Sequence, residues 1–222
     1  MSSGNIFQIK VIEDKLREII IVGAGGQARI VIESAELSGF RIPGIIDTGY
    51  EGQEEYILGY KVLGGEDELQ AFENGKVGAF IAIGDNLSRR TYFDKVRKMG
   101  FSIVRILNPH AMISKYATIG DGVLVSTAAI INTMAVIGEN TIINSGAIIE
   151  HETHIGKDCH IGPGTRIAGR VRIGDGVFVG IGTSVIDKVR IGDNCIIGAG
   201  SVVISDIPSN TTFAGVPARR IK

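Results

Sequence analysis

Three of the four histidines in the chain, His151, His154 and His160, fall within ten residues of one another in the stretch IIEHETHIGKDCHIGPG, residues 148–164. Glu150 and Glu152 flank the first of them. Two chemistries use such a set. Imidazoles can bind zinc, but HETH is not the helical H-E-x-x-H pattern, and a short cluster does not by itself supply a tetrahedral site. Acyl transfer instead needs one imidazole as general base, a carboxylate that orients it and raises its basicity, and N–H donors for the oxyanion. Glu150, His151 and Glu152 place base and acid side by side. A single histidine is as easily a polar residue on an outward surface.

The histidines sit on a scaffold with a period of its own. From Ile113 to Val203, sixteen consecutive positions spaced six residues apart are all isoleucine or valine, with Ile149, Ile155 and Ile161 among them. These two residue types make up about a quarter of the chain, so chance would produce the run with a probability on the order of 10⁻¹⁰. Four residues after each aliphatic comes a small or β-branched residue, from Ala117 through Thr153 and Cys159 to Ser201. A branched aliphatic fills the interior of a coil and a small residue fits where the chain turns a corner. Ile-Gly followed by an acid or lysine recurs every eighteen residues, at Ile119, Ile137, Ile155, Ile173 and Ile191, so three hexads make one coil. The expected object is a triangular left-handed parallel β-helix of about five coils, roughly 4.8 Å each and about 25 Å long. All three histidines fall outside the aliphatic register and can point outward. Cys159 and Cys195 lie in the small-residue register, which reads as structural.

The region before Pro109 follows a different rule. Short apolar runs such as EIIIVGAGG, IPGIID, GAFIAIGD and FSIVRIL alternate with the amphipathic stretches QARIVIESAELSG, EDELQAF and SRRTYFDKVRKMG, a β-α-β pattern with buried parallel strands. The last stretch predicts a helix over 88–99 that Gly100 stops. The fold class expected is therefore a small Rossmann-like α/β domain over 1–107, with 1–16 as a leader, followed by the β-helix and a C-terminal tail over 108–222. Gly23, Gly25 and Gly26 end a strand and open a helix, which suits backbone approach to a phosphate or a sugar, or merely a tight turn. Asp47 closes the next strand where a dinucleotide fold places its ribose-binding acid. Against a hydride-transfer enzyme, the α/β region spans only about 90 residues and lacks the second half of such a fold. IAIGDN, 81–86, ends another strand with glycine and polar residues, so two loops can face one crevice.

A net charge of −1 over 222 residues offers no basic field for nucleic acid or an anionic membrane. No apolar run reaches the roughly 20 residues of a membrane span, and the first residues lack the apolar stretch of a signal peptide. The expectation is cytoplasmic small-molecule chemistry, with neither nucleic-acid binding nor membrane insertion.

VGAGGQA, IIDTG, AIGDN followed by Arg89, NSGAIIEHETHIG, CHIGPGTRIAG, GIGTSVI, IIGAGSVV and AGVPAR together resemble the bacterial sugar acetyltransferases of NeuD/PglD type. That family comprises the sialic-acid O-acetyltransferases and the UDP-4-amino-sugar N-acetyltransferases, and the resemblance runs from Arg17 to Lys222. It implies that His151 is the general base and that Glu152 raises its basicity. It further implies that His160, Ile181 and Ala199 line the groove for acetyl-CoA, with the Gly169 amide as oxyanion donor. Gly25, Gly26, Gln27, Asp47, Thr48 and Gly84 match positions that hold the nucleotide sugar. The chain departs from the family's common residues at Gln27, at Thr48 and around Asn108, Pro109 and His110. Family members form trimers with the active site between adjacent prisms, so a homotrimer that uses acetyl-CoA and no metal is expected. The function expected is acetyl transfer to the amino group of a UDP-4-amino sugar for bacterial glycan synthesis. The alternatives are O-acetylation of a sialic-acid-like sugar, a metal-dependent hydratase of carbonic-anhydrase type, and a catalytically silent nucleotide-sugar binder.

Overall fold

The computed structural model describes residues 17–73 and 75–222, so the expected leader over 1–16 lies outside the described residues. The apolar run Ile19–Val22 forms strand β1, and the chain then enters helix α1, Gly26–Leu37. Strand β2, Ile45–Ile46, pairs parallel with β1. Two further strands, β3 (Tyr56–Ile57) and β4 (Tyr60–Gly64), lead to β5 (Gly78–Ile81) and helix α2 (Asn86–Lys98). The sheet order is β3-β4-β2-β1-β5. Strand side chains alternate between faces, so Ile19 and Ile21 pack with α1 while Ile20 and Val22 pack with Phe93 and Val96 of α2. With helices on both faces, the apolar runs stay buried throughout, as a parallel sheet requires.

Three sequence readings of this half change in the structure. Helix α2 begins two residues before the predicted Ser88, because Asp85 caps it by accepting from the Ser88 N–H at 2.8 Å. EDELQAF forms a short 3₁₀ helix, Glu66–Ala71. FSIVRIL does not add a full strand to the sheet. Ile103 makes a single bridge to Ala79 of β5, and Ile106–Leu107 already pairs with Leu124–Val125 of the prism. The run is apolar because it crosses from one core to the other, and Ile106 is buried between them. A hairpin absent from the sequence reading also appears at the sheet edge, where β3 and β4 pair antiparallel through Leu58 and Gly59, both at positive φ.

The second half is the expected prism. Its first face stacks the strands from Met112–Ile113 to Val202–Val203, its second those from Thr118–Ile119 to Arg190–Ile191, and its third those from Ile106–Leu107 to Ile196–Ile197, all in parallel register eighteen residues apart. The strand Thr212–Ala214 extends the third face, and Arg219–Arg220 closes it antiparallel. The sixth-position aliphatics from Ile131 to Val203 form one core. The small register does more than fit, because Thr141 and Thr153 donate their hydroxyls to Gly156 O and Ala168 O at the same corner of the next coil, each at 2.9 Å. Burial pushes the Cys159 thiol up to about 12, which leaves it an inert packing group.

The two halves share a core. Outward Leu124 and Ile142 of the third face pack in one cluster with Val31, Ile32 and Ala35 of α1. Full burial of each such branched side chain contributes about 1.5–3 kcal/mol. No helix of the described residues is long and apolar enough to cross a membrane.

Candidate active site

His151 lies at the corner between the first and second faces, with its side chain 46% exposed. Its Nδ1 is 3.1 Å from Glu152 Oε2. The Arg170 Nε donates to that same oxygen at 2.9 Å. This bond, and after it the one to His151, holds the Glu152 carboxyl below the ordinary carboxylate range. An ionised carboxylate only accepts, so the neutral imidazole carries its proton on Nδ1 and its lone pair on Nε2. Nε2 is the atom that can take a proton from a substrate. It rests against Gly169, where an added Cβ would sit 2.6 Å from it. The Gly169 N–H makes no hydrogen bond among the described residues, which suits the expected oxyanion donor. Arg170 escaped the sequence reading, yet it lies eighteen residues after Glu152, directly above it in the next coil, as Gly169 lies above His151.

The other two histidines point elsewhere. His154 projects from the second face in register with Arg172, its Nδ1 donating to Glu152 O at 3.1 Å. His160 projects from the third face against the N-terminal domain, where its Nδ1 donates to Gly84 O at 3.2 Å and its Nε2 accepts from Asn144 Nδ2 at 3.3 Å. Its ring stands edge-on to Phe178, with centroids 5.2 Å apart. Burial lowers its pKa, keeping the ring neutral. One corner and two different faces thus carry the three imidazoles, and they do not converge on a common point.

Of the three residues expected in the acetyl-CoA groove, His160 is joined to Gly84, one of the positions expected to hold the nucleotide sugar. Gly84, Asp85, Leu87, His160, Phe178 and Ile196 line a cleft of about 480 Å³ between the loop after β5 and the third face. Ile181 and Ala199 lie exposed, one above the other, at the corner between the third and first faces. Within one chain they are therefore on a different corner from His151. A groove of about 550 Å³ near Arg190 and Asp206 touches none of the expected site residues.

The residues expected to hold the nucleotide sugar gather at the carboxyl ends of β2, β1 and β5. Helix α1 packs on one side of the sheet and α2 on the other, so the strand order reverses between β1 and β5, where an open α/β sheet leaves a crevice. Gly23, at φ 112°, makes the turn and donates its N–H to Ile46 O at 2.7 Å. Gly25 and Gly26 have ordinary φ and open space at the Cβ position, so the turn alone does not call for glycine there. Their bare backbone instead leaves room for close approach by a ligand. Gln27 follows with a buried Nε2 that has no partner. Asp47 is anchored through its N–H to Gly64 O at 3.0 Å, and Thr48 beside it is exposed.

Residues 18–96 match the PglD N-terminal domain family, and residues 134–169 and 170–205 match the bacterial transferase hexapeptide (six repeats) family. Among curated proteins, no match was found. Among solved structures, the chain is similar to perosamine N-acetyltransferase from Caulobacter crescentus, a variant with one histidine changed to asparagine, in complex with CoA and GDP-perosamine. The identity is 37%, over 92% of this chain and 97% of that one, with a TM-score of 0.89. The acetyltransferase domain of PglB from Neisseria gonorrhoeae, in complex with acetyl coenzyme A, is 28% identical over 93% of this chain and 100% of that one, with a TM-score of 0.87. WeeI from Acinetobacter baumannii, 22% identical over 91% of this chain and 99% of that one, shares the fold with a TM-score of 0.77. An α/β domain docked on a hexapeptide-repeat prism agrees with these relatives along nearly the whole chain: it belongs to the bacterial sugar acetyltransferases of PglD type, acyltransferases of the hexapeptide-repeat class.

Proposed function

We propose that the chain transfers the acetyl group of acetyl-CoA to the amino group of a sugar carried on a nucleoside diphosphate, the nucleotide resting in the crevice between β1 and β5. The observation that carries this reading is the corner where Glu152, held ionised by Arg170, leaves His151 Nε2 as a free base over Gly169. In the proposed reaction Nε2 takes the proton from the acceptor nitrogen as that nitrogen attacks the thioester carbonyl. Glu152 stabilises the imidazolium, and the Gly169 N–H donates to the oxyanion. The imidazolium then returns its proton to the departing sulfur. Support also comes from the Caulobacter enzyme, which was crystallised with CoA and GDP-perosamine and with a histidine replaced. A panel of UDP- and GDP-linked amino sugars with acetyl-CoA, followed by thiol release, is expected to show turnover with at least one amine acceptor. Turnover confined to hydroxyl acceptors, with every amine inert, overturns the transfer to nitrogen.

The same reading makes the assembly a homotrimer. His151 on one corner and Ile181 and Ala199 on another complete a single groove only when a neighbouring copy brings the second corner to the first. Apolar side chains spread between the corners, with Ile130, Ile148 and Val202 half-buried, Ile186 43% exposed, Ile204 46% and Ile181 60%. A neighbouring copy docked between the corners would cover these side chains. Light scattering at micromolar concentration is expected to give three times the 23.6 kDa of one chain. A monomeric mass sinks the shared groove.

A further inference from the structure

Arg89 of α2 is only 1% exposed and spans both halves of the molecule. Its Nε donates to Asn140 O at 2.9 Å, its Nη1 to Ile83 O at 3.2 Å and to Gly84 O at 3.0 Å, and its Nη2 to Asn86 Oδ1 at 2.9 Å, Asp158 O at 3.0 Å and Cys159 O at 2.9 Å. The five N–H groups of the planar fork thus serve the loop after β5 on one side and two coils of the prism on the other. Burial lowers its pKa to about 10, so it remains a cation at neutral pH. A cation kept in the interior among carbonyls calls for a reason beyond packing.

The reason lies in the direction of the loop's peptide groups. Across a trans peptide, a carbonyl turned one way turns the next N–H the opposite way. Arg89 draws Ile83 O and Gly84 O toward itself, which turns the Gly84 and Asp85 N–H groups away. Neither N–H makes a hydrogen bond among the described residues. Gly84 O also accepts from His160, so the same loop sets the position of that ring.

We infer that Arg89 is a positioning residue for the nucleotide-sugar end of the reaction, holding the Gly84 and Asp85 amides toward the phosphates of that substrate without touching it. Consecutive backbone N–H groups facing one way make an anion-binding concavity, and a diphosphate is the anion this loop would take. The inference rests on the acetyl-transfer reading above. Arg89→Lys keeps the charge but loses the fork, and Arg89→Met loses both. In both, the KM for the nucleotide sugar is expected to rise about tenfold or more, the loss of one phosphate-directed hydrogen bond, with the lysine variant the milder. The KM for acetyl-CoA is expected to rise less than that for the nucleotide sugar, because the loop reaches the expected acetyl-CoA groove only through the bond between Gly84 O and His160. A merely structural arginine would lower the melting temperature and the active fraction without separating the two KM values, and that result overturns the inference. Should both variants fail to fold, Asn86→Ala removes the fork's acceptor at the start of α2, together with the bond from Asn86 Nδ2 to Gly176 O. An unchanged KM for the nucleotide sugar in that variant also overturns it. If the wild-type chain turns over no nucleotide sugar at all, the activity reading fails separately. Calorimetric titration of UDP and GDP into wild-type and Asn86→Ala protein then decides the role of Arg89, with equal affinities counting against it.

Discussion

His151→Ala is expected to lower turnover by about 10²–10⁴-fold, the usual contribution of a general base, while the affinities for both substrates change little. The imidazole acts where the proton moves, and its half-exposed ring fills no core whose loss would unfold the prism. Glu152→Ala is expected to lose less, because the imidazole remains and only its orienting partner goes. Arg170→Ala is expected to lose less again, since it frees Glu152 without removing it. His154→Ala is expected to lose least, because its ring is tied to a carbonyl on the adjoining face. Raising the pH deprotonates an amine acceptor in solution and is expected to restore part of the lost rate in His151→Ala. Steady-state kinetics across pH with saturating acetyl-CoA measure all four variants. Turnover of His151→Ala near that of the wild type at pH 7, or activity lost to a chelator, removes the general-base assignment.

Gly169→Ala is expected to be nearly as damaging as the loss of the base, although it deletes no functional group. The added methyl carbon would lie 2.6 Å from His151 Nε2 and 2.7 Å from its Cε1, so the ring must swing off Gly169 and away from Glu152. The reactive nitrogen is then both displaced and covered, and a misplacement of about 1 Å costs on the order of 10²-fold in rate. Stability is expected to hold, because Gly169 has no positive φ that would penalise a side chain and the displaced ring moves into solvent. Turnover measured beside a thermal melt separates the two effects. Full activity in a folded Gly169→Ala protein refutes the position assigned to the reacting nitrogen.

Much of the prism was readable residue by residue. Burial repeats every six positions because each face of the triangular coil turns one aliphatic inward, so Ile149, Ile155 and Ile161 mark the three faces. The partners of the histidine corner were legible in principle through the eighteen-residue coil, which stacks Gly169 on His151 and Arg170 on Glu152. The sequence reading used that spacing for the core and did not extend it to the corner. The edge hairpin escaped because two short half-exposed strands around Leu58 and Gly59 bear no strong period.

The sequence by itself therefore determined the two halves, the inward register, the glycine loop and the adjacency of an outward histidine to two carboxylates, because each is written in local spacing. The tertiary structure decided which way the outward residues look. His160 turns to Gly84, 76 residues earlier in the chain, and Arg89 reaches Asn140, Asp158 and Cys159, only because α1 docks on the third face and α2 against the corner between the second and third faces. Docking of that kind depends on the fit of two separately periodic surfaces. Neither period carries the rotation and offset at which they meet, so the cleft between the halves arises only when both are folded and packed together.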